Sequence, residues 1–128
     1  MAKRFTLGKK ERLKSRKSIE RLFSEGRKFI SGSFRVSHLP AQLPHPGIQF
    51  GIGVGNKQFK KAVDRNRIKR LCREAWRLQK SSLQEKLVAS KKGVIVFFIY
   101  TGKEIPEYTD LFQHMGMAVS KLEKLYLE

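Results

Sequence analysis

A single cysteine in 128 residues leaves no partner for an internal disulfide, and one thiol cannot by itself make a structural zinc site. Long apolar runs are missing too. The longest, Val94 to Tyr100, falls far short of the roughly 20 residues a membrane-spanning helix needs. The opening MAKRFTLGKK lacks the apolar stretch of a secretory signal. These absences point to a soluble, cytoplasmic protein with no membrane partner. Acids are scarce as well, 11 Asp+Glu against 28 Lys+Arg, for a formal charge of +17. A metal-dependent nuclease needs several carboxylates converging on its ions, and here Asp64, Glu74 and Asp110 are scattered. No HExxH, CxxC, P-loop or dinucleotide fingerprint occurs. Neither a catalytic residue nor a metal ligand stands out.

What the chain does have is positive charge in two blocks. Residues 1–28 hold eleven basic and three acidic side chains, and residues 57–80 hold ten and two. Between them only Arg35 is charged, and from residue 81 onward the signs balance at six each. A basic surface serving only solubility would be spread more evenly. Clustering favours a face built for a polyanion, nucleic acid ahead of an anionic membrane.

The pattern fits one domain over residues 1–128, of a length that folds unaided, with residues 1–14 as a basic N-terminal arm. Ser15 is a helix N-cap and Gly26 a stop, predicting a short helix over 16–24 with Ile19, Leu22 and Phe23 on its apolar stripe. Phe29 to Leu39 reads as one strand, with Phe34 and Val36 on one face and Ser33, Arg35 and Ser37 on the other. Pro40, Pro44, Pro46 and Gly47 mark a loop. Ile48, Phe50, Ile52 and Val54 then alternate with Gln49, Gly51, Gly53 and Gly55, a strand with one nearly bare face. Those glycines fit either close backbone access for a ligand or a bulge or tight packing. A helix follows from Lys61 to about Leu83, with Ile68, Leu71, Cys72, Ala75 and Gln79 on one side. Asn66, Lys69, Arg70, Arg73 and Arg77 fall on the other. The run Val94–Tyr100 suits a strand covered on both faces. After Pro106 comes an amphipathic helix with Tyr108, Leu111, Phe112, Met115, Val119, Leu122 and Leu125 inward. The order α-β-β-α-β-α describes a two-layer α/β (α+β) sandwich.

Isolated reactive residues have plainer explanations. His38, His45 and His114 are far apart in sequence and read as surface histidines rather than an acid–base pair. Cys72 lies on an apolar helical face and reads as an inert core thiol. Trp76 borders both faces of its helix, where packing on the sheet is favoured over stacking on a base.

The stretch Lys60-Lys61-Ala62-Val63-Asp64-Arg65-Asn66-Arg67-Ile68-Lys69-Arg70-Leu71-Cys72-Arg73-Glu74 closely resembles the signature of the bacterial ribonuclease P protein component. Its centre is Arg65-Asn66-Arg67 followed by Ile68-Lys69-Arg70. Gly51-Ile52-Gly53-Val54 and Lys57 occupy the places of that family's glycine-containing strand and basic turn. Weaker likeness runs through Arg12-Leu13-Lys14, Phe23, Gly26 and the Val94–Ile99 strand. Asn56, Ser37, Ile19 and Tyr100-Thr101-Gly102-Lys103 depart from the usual pattern, Ser37 standing where an aromatic residue is common.

The resemblance implies a fold like the second domain of the fifth small-subunit ribosomal protein, with a left-handed βαβ crossover against the usual rule. It implies the non-catalytic protein subunit of an endonuclease whose other subunit is a catalytic RNA. In that ribonucleoprotein the RNA, with magnesium bound mainly by RNA, hydrolyses precursor tRNA to remove its 5′ leader. The implied partners are ribonuclease P RNA and precursor tRNA, and the implied role is tRNA processing. Carried onto this chain, RNA binding falls to Lys57, Lys60, Lys61, Arg65, Asn66, Arg67, Lys69, Arg70, Arg73 and Arg77. Asn66 orients a phosphate or a hydrated ion, or else serves as helix-start capping chemistry. A cleft for the leader is implied at Ile19, Phe23, Arg35 and Ser37. Docking of the first helix on the sheet is the competing account of Ile19 and Phe23. A ribosomal or tRNA-binding protein and a stand-alone ribonuclease are the other classes weighed, and the Arg65–Arg70 motif argues against both.

Overall fold

The computed structural model describes residues 11–127. Helix α1 (Arg16–Glu25) leads into strands β1 (Arg27–Ser31), β2 (Phe34–Pro40) and β3 (Gly47–Val54). Helices α2 (Ala62–Gln79) and α3 (Ser81–Ala89) then precede β4 (Gly93–Tyr100) and α4 (Tyr108–Leu127). The four strands lie in the order β1-β2-β4-β3. The first two pairings are antiparallel and β3–β4 is parallel, so α2 and α3 form the crossover between neighbouring parallel strands.

Two expectations change here. The single strand over 29–39 is a hairpin, because Gly32 takes φ of +55° at the first position of a two-residue turn. The helix expected to run to Leu83 ends at Gln79, and a separate α3 begins at Ser81. Lys80 between them is 5% exposed and ion-paired with Glu11. That long-range tether holds the corner where two helices meet. The observed order is therefore α-β-β-β-α-α-β-α, still a mixed sandwich of sheet and helices.

Alternation assigns each face of the sheet. Phe34, Val36, Ile48, Phe50, Val94, Val96 and Phe98 point to the face covered by α2, α3 and α4, where they join Ile68, Cys72, Trp76, Leu83, Met115 and Leu122 in the main core. Trp76 is fully buried and stacks on Phe50 at 4.6 Å and 10°. Its role is packing on the sheet, worth about 0.5–1.5 kcal/mol beyond the area it buries. Burial pushes the Cys72 thiol up to about 12, so it stays protonated and inert. Leu125 is the exception on α4. It is exposed, and Ala118 takes an inward place instead, because the inward stripe follows the packing against α2 and not every apolar residue.

The other face carries α1. Its N-cap is Ser15, whose Oγ accepts from the Ser18 N–H at 3.3 Å. Leu22 and Ile19 pack with Leu13, Leu39, Ile95 and Phe97 in a smaller cluster. Leu13 N–H donates to the Phe50 carbonyl at 2.9 Å, so residues 11–14 of the basic arm lie along β3, and the rest of that arm lies outside the described residues. The histidines also differ from expectation. His45 is exposed, but His38 is buried and bonds the Tyr126 hydroxyl through Nδ1 at 2.7 Å. His114 closes over the Gly32–Ser33 turn, its Nδ1 3.0 Å from Ser33 Oγ.

Candidate nucleic-acid interface

Helix α2 has eighteen residues, about 27 Å of axis at 1.5 Å per residue. One side is fixed by Ile68, Cys72, Ala75 and Trp76 in the core. Helical periodicity then sends Asn66, Arg67, Arg70 and Arg73 to solvent, and all four are exposed. Asn66, Arg70 and Arg73 form a single stripe at i, i+4 and i+7. Lys57, Lys60 and Lys61 are exposed in the loop that enters the helix, and Lys69 is half-buried at the stripe's margin.

Two of the expected phosphate ligands are committed within the protein. Arg65 donates from Nη1 to the carbonyls of Phe59 at 2.6 Å and Lys60 at 2.9 Å. Its guanidinium thus braces the loop bearing Lys60 and Lys61. Arg77 donates from Nε to Glu74 Oε2 at 3.1 Å and makes a second contact from Nη2 to Oε1. That hydrogen-bonded pair holds the Glu74 carboxyl below the usual carboxylate range, and locally cancels the Arg77 charge. The helix N-cap is Lys61, which makes no side-chain capping bond. Asn66 is five residues further on, so capping does not account for it.

Across the sheet, the register places Ser37 beside Phe97 and Phe97 beside Gly51. The Phe97 ring spreads over β3, where a Cβ added to Gly53 would lie 3.2 Å from its Cζ. The bare strand face therefore admits a neighbouring aromatic ring. Phe23 is 42% exposed, and its ring lies 5.3 Å from that of Phe97. Arg35 is exposed two residues further along the register, opposite Ile99. Ile19 is half-buried in the small cluster. Ser37, by contrast, is 1% exposed on the face where α1 packs, so it is enclosed and does not line an open cleft. The sequence pointed to Phe23 and Arg35 but passed over Phe97. Its clue was an aromatic in β4 flanked across the strands by two small residues.

A family model described as Ribonuclease P matches residues 7–123. The chain belongs to the ribonuclease P protein family. It is 32% identical to the ribonuclease P protein component of Porphyromonas gingivalis over 119 residues, covering 92% of this chain and 87% of that one. A second relative of the same name, from Syntrophus aciditrophicus, is 32% identical over 121 residues, covering 93% and 92%. Among solved structures, the RNase P protein of Staphylococcus aureus superposes with a TM-score of 0.65 at 25% identity, covering 91% of this chain and 97% of that one. The RNase P protein of Thermotoga maritima superposes with a TM-score of 0.69 at 24% identity, covering 87% and 96%, a likeness of fold. Ribonuclease P proteins are components of an endoribonuclease that processes tRNA, and the family implies a ribonuclease P RNA as partner. Among the described residues no helix is long and apolar enough to cross a membrane.

Proposed function

We propose that this chain is the RNA-binding, non-catalytic subunit of ribonuclease P, seating the catalytic RNA on α2 and the 5′ leader of precursor tRNA in the cleft of Phe23, Phe97 and Arg35. The observation that carries the reading is the α2 stripe. Arg67, Arg70 and Arg73 are exposed on a helix whose opposite side is locked into the core, while the nearby Glu74 is already paired with Arg77. Exposed guanidinium groups on a helix held in place by its buried side suit phosphate oxygens, which they grip bidentately.

In this reading hydrolysis belongs to the RNA and its magnesium ions. Among the described residues no group of three or more His, Cys, Asp and Glu side chains is placed to hold a metal. The protein's work is electrostatic and positional. Cations on α2 offset phosphate repulsion as the RNA docks, and the Phe23 and Phe97 rings give unpaired leader bases an apolar surface. Binding of catalytic RNA to wild type, Arg67→Ala, Arg70→Ala and the paired Glu74→Gln/Arg77→Gln protein, in which no carboxylate is stranded, tests this. The first two should weaken binding and the third should change it little. Equal affinity for all four proteins would overturn the reading.

A further inference from the structure

Strand β3 lies at one edge of the sheet, next to β4 alone. Along its outer side runs the short segment after Glu11, where Arg12 pairs in parallel with Phe50. Leu13 is buried there, 7% exposed. Strand-like alternation then turns Arg12 and Lys14 the other way, and both are exposed. The adjacent acid, Glu11, is ion-paired with the buried Lys80 at the α2–α3 corner. It is thereby drawn to a different cation from the two that follow it. From the far side, Arg73 of α2 reaches the same place. Arg12, Lys14 and Arg73 together line a cavity of 340 Å³, completed by Leu13, Phe50, Gly51 and Ile52, with no acid among these lining residues.

We propose that Arg12, Lys14 and Arg73 form a further phosphodiester-binding site at the outer edge of β3, which carries an RNA backbone from the α2 stripe toward the Phe97 cleft. The site rests on the reading of α2 as an RNA-binding helix. Two residues make it continuous with both surfaces. Arg73 is the last member of the exposed stripe on α2 and a wall of the cavity. Gly51 lines the cavity from its other side and also lies against the Phe97 ring, where an added Cβ would meet Cδ2 at 3.5 Å. A polyanion is favoured over a small anion because three cations converge without a carboxylate, and one of them, Arg73, also belongs to the exposed α2 stripe.

The test uses Arg12→Gln/Lys14→Gln, which keeps Leu13 and its anchoring, with Arg70→Ala as a reference. One arm titrates each protein against catalytic RNA over a range of salt. The other titrates assembled holoenzyme against precursor tRNA. Each lost phosphate contact lowers the magnitude of the log–log salt slope by about 0.7–0.9, so the double variant should lower it by about 1.4–1.8 in one arm. That arm identifies the RNA seated at the site. An unchanged slope in both arms, with Arg70→Ala lowering its own, would overturn this site and leave the α2 reading standing. Unchanged slopes for Arg70→Ala as well would overturn both. Melting temperatures within a few degrees of wild type keep a loss of binding from being a loss of fold.

Discussion

The Phe23 ring meets the Phe97 ring at 5.3 Å and a 60° tilt, joining α1 to the centre of the sheet. This contact makes Phe23 both a packing residue and, being 42% exposed, an available platform. In the proposed leader cleft, docking of α1 and stacking of a base would use the same side chain through different parts of its surface.

Phe23→Leu keeps an apolar side chain on Phe97 but removes the ring. Base–aromatic stacking is worth about 1–3 kcal/mol. The holoenzyme carrying this variant should lose preference for precursor over mature tRNA by about fivefold to 150-fold, with mature tRNA bound almost as before. Arg35→Ala should act in the same direction. Equilibrium binding of the two tRNAs measures it, and equal losses for both would assign Phe23 and Arg35 to the scaffold.

Arginines on one helix should not behave alike. Arg70 is exposed, so Arg70→Ala should weaken RNA binding and flatten the salt slope by about one unit. Arg77 is engaged by Glu74, so removing both charges together, as Glu74→Gln/Arg77→Gln, should leave the slope nearly unchanged. Salt titrations of the two variants side by side provide the check.

In the Glu11–Lys80 pair Lys80 is buried, its side chain 6% exposed, and Glu11 is largely enclosed at 16%. Removing one partner strands the other charge away from water, at a cost of about 3–5 kcal/mol. Glu11→Ala should therefore destabilise strongly in chemical denaturation. The pair Glu11→Leu/Lys80→Met should recover most of that loss. A mild effect of Glu11→Ala would show that the pair does not hold the corner.

The residues visible in sequence were those fixed by local periodicity. The Ser15 cap, the alternation in β3 and the buried stripe Ile68, Cys72 and Ala75 all follow from neighbours within a turn or two of chain. The family motif added the identity of α2. The hairpin at Gly32–Ser33 carried its own signal, a Gly-Ser pair between two apolar runs, masked by continuous alternation on either side. The break at Lys80 had a weak one, Ser81-Ser82 followed by Gln84 and Glu85. No glycine or proline stands there, and the tie from Lys80 to Glu11, far away in sequence, is invisible to local pattern. Enclosure of Ser37, burial of His38 and capture of Arg77 by Glu74 likewise depend on how elements or rotamers meet. Periodicity assigns a face and does not say whether that face is open.

His38 gives the protein a pH-dependent stability. Burial, then Arg27 on β1 and Lys121 on α4, push its imidazole below the ordinary 6.5. Its partner Tyr126 is pushed up to about 12 and stays a neutral phenol. The unfolded chain therefore takes up the His38 proton first as pH falls. The contribution is complete above about pH 6.5, declines below it, and levels off beneath the folded pKa. The carboxyls of Glu74 and Glu123 are lowered from 4.5, so their losses come at more acid pH. Melting temperature should fall between pH 7.5 and 5.5, and His38→Gln should reduce that fall. The same fall in both proteins would place the titration elsewhere.

Reconstitution tests the central claim most directly. Precursor tRNA is incubated at low magnesium with purified protein, with catalytic RNA, and with both together. The account predicts release of the 5′ leader only, or very much faster, in the third reaction, and none with protein alone. Magnesium-dependent cleavage by protein free of RNA and surviving repurification would contradict it, as would a reaction that the protein fails to accelerate.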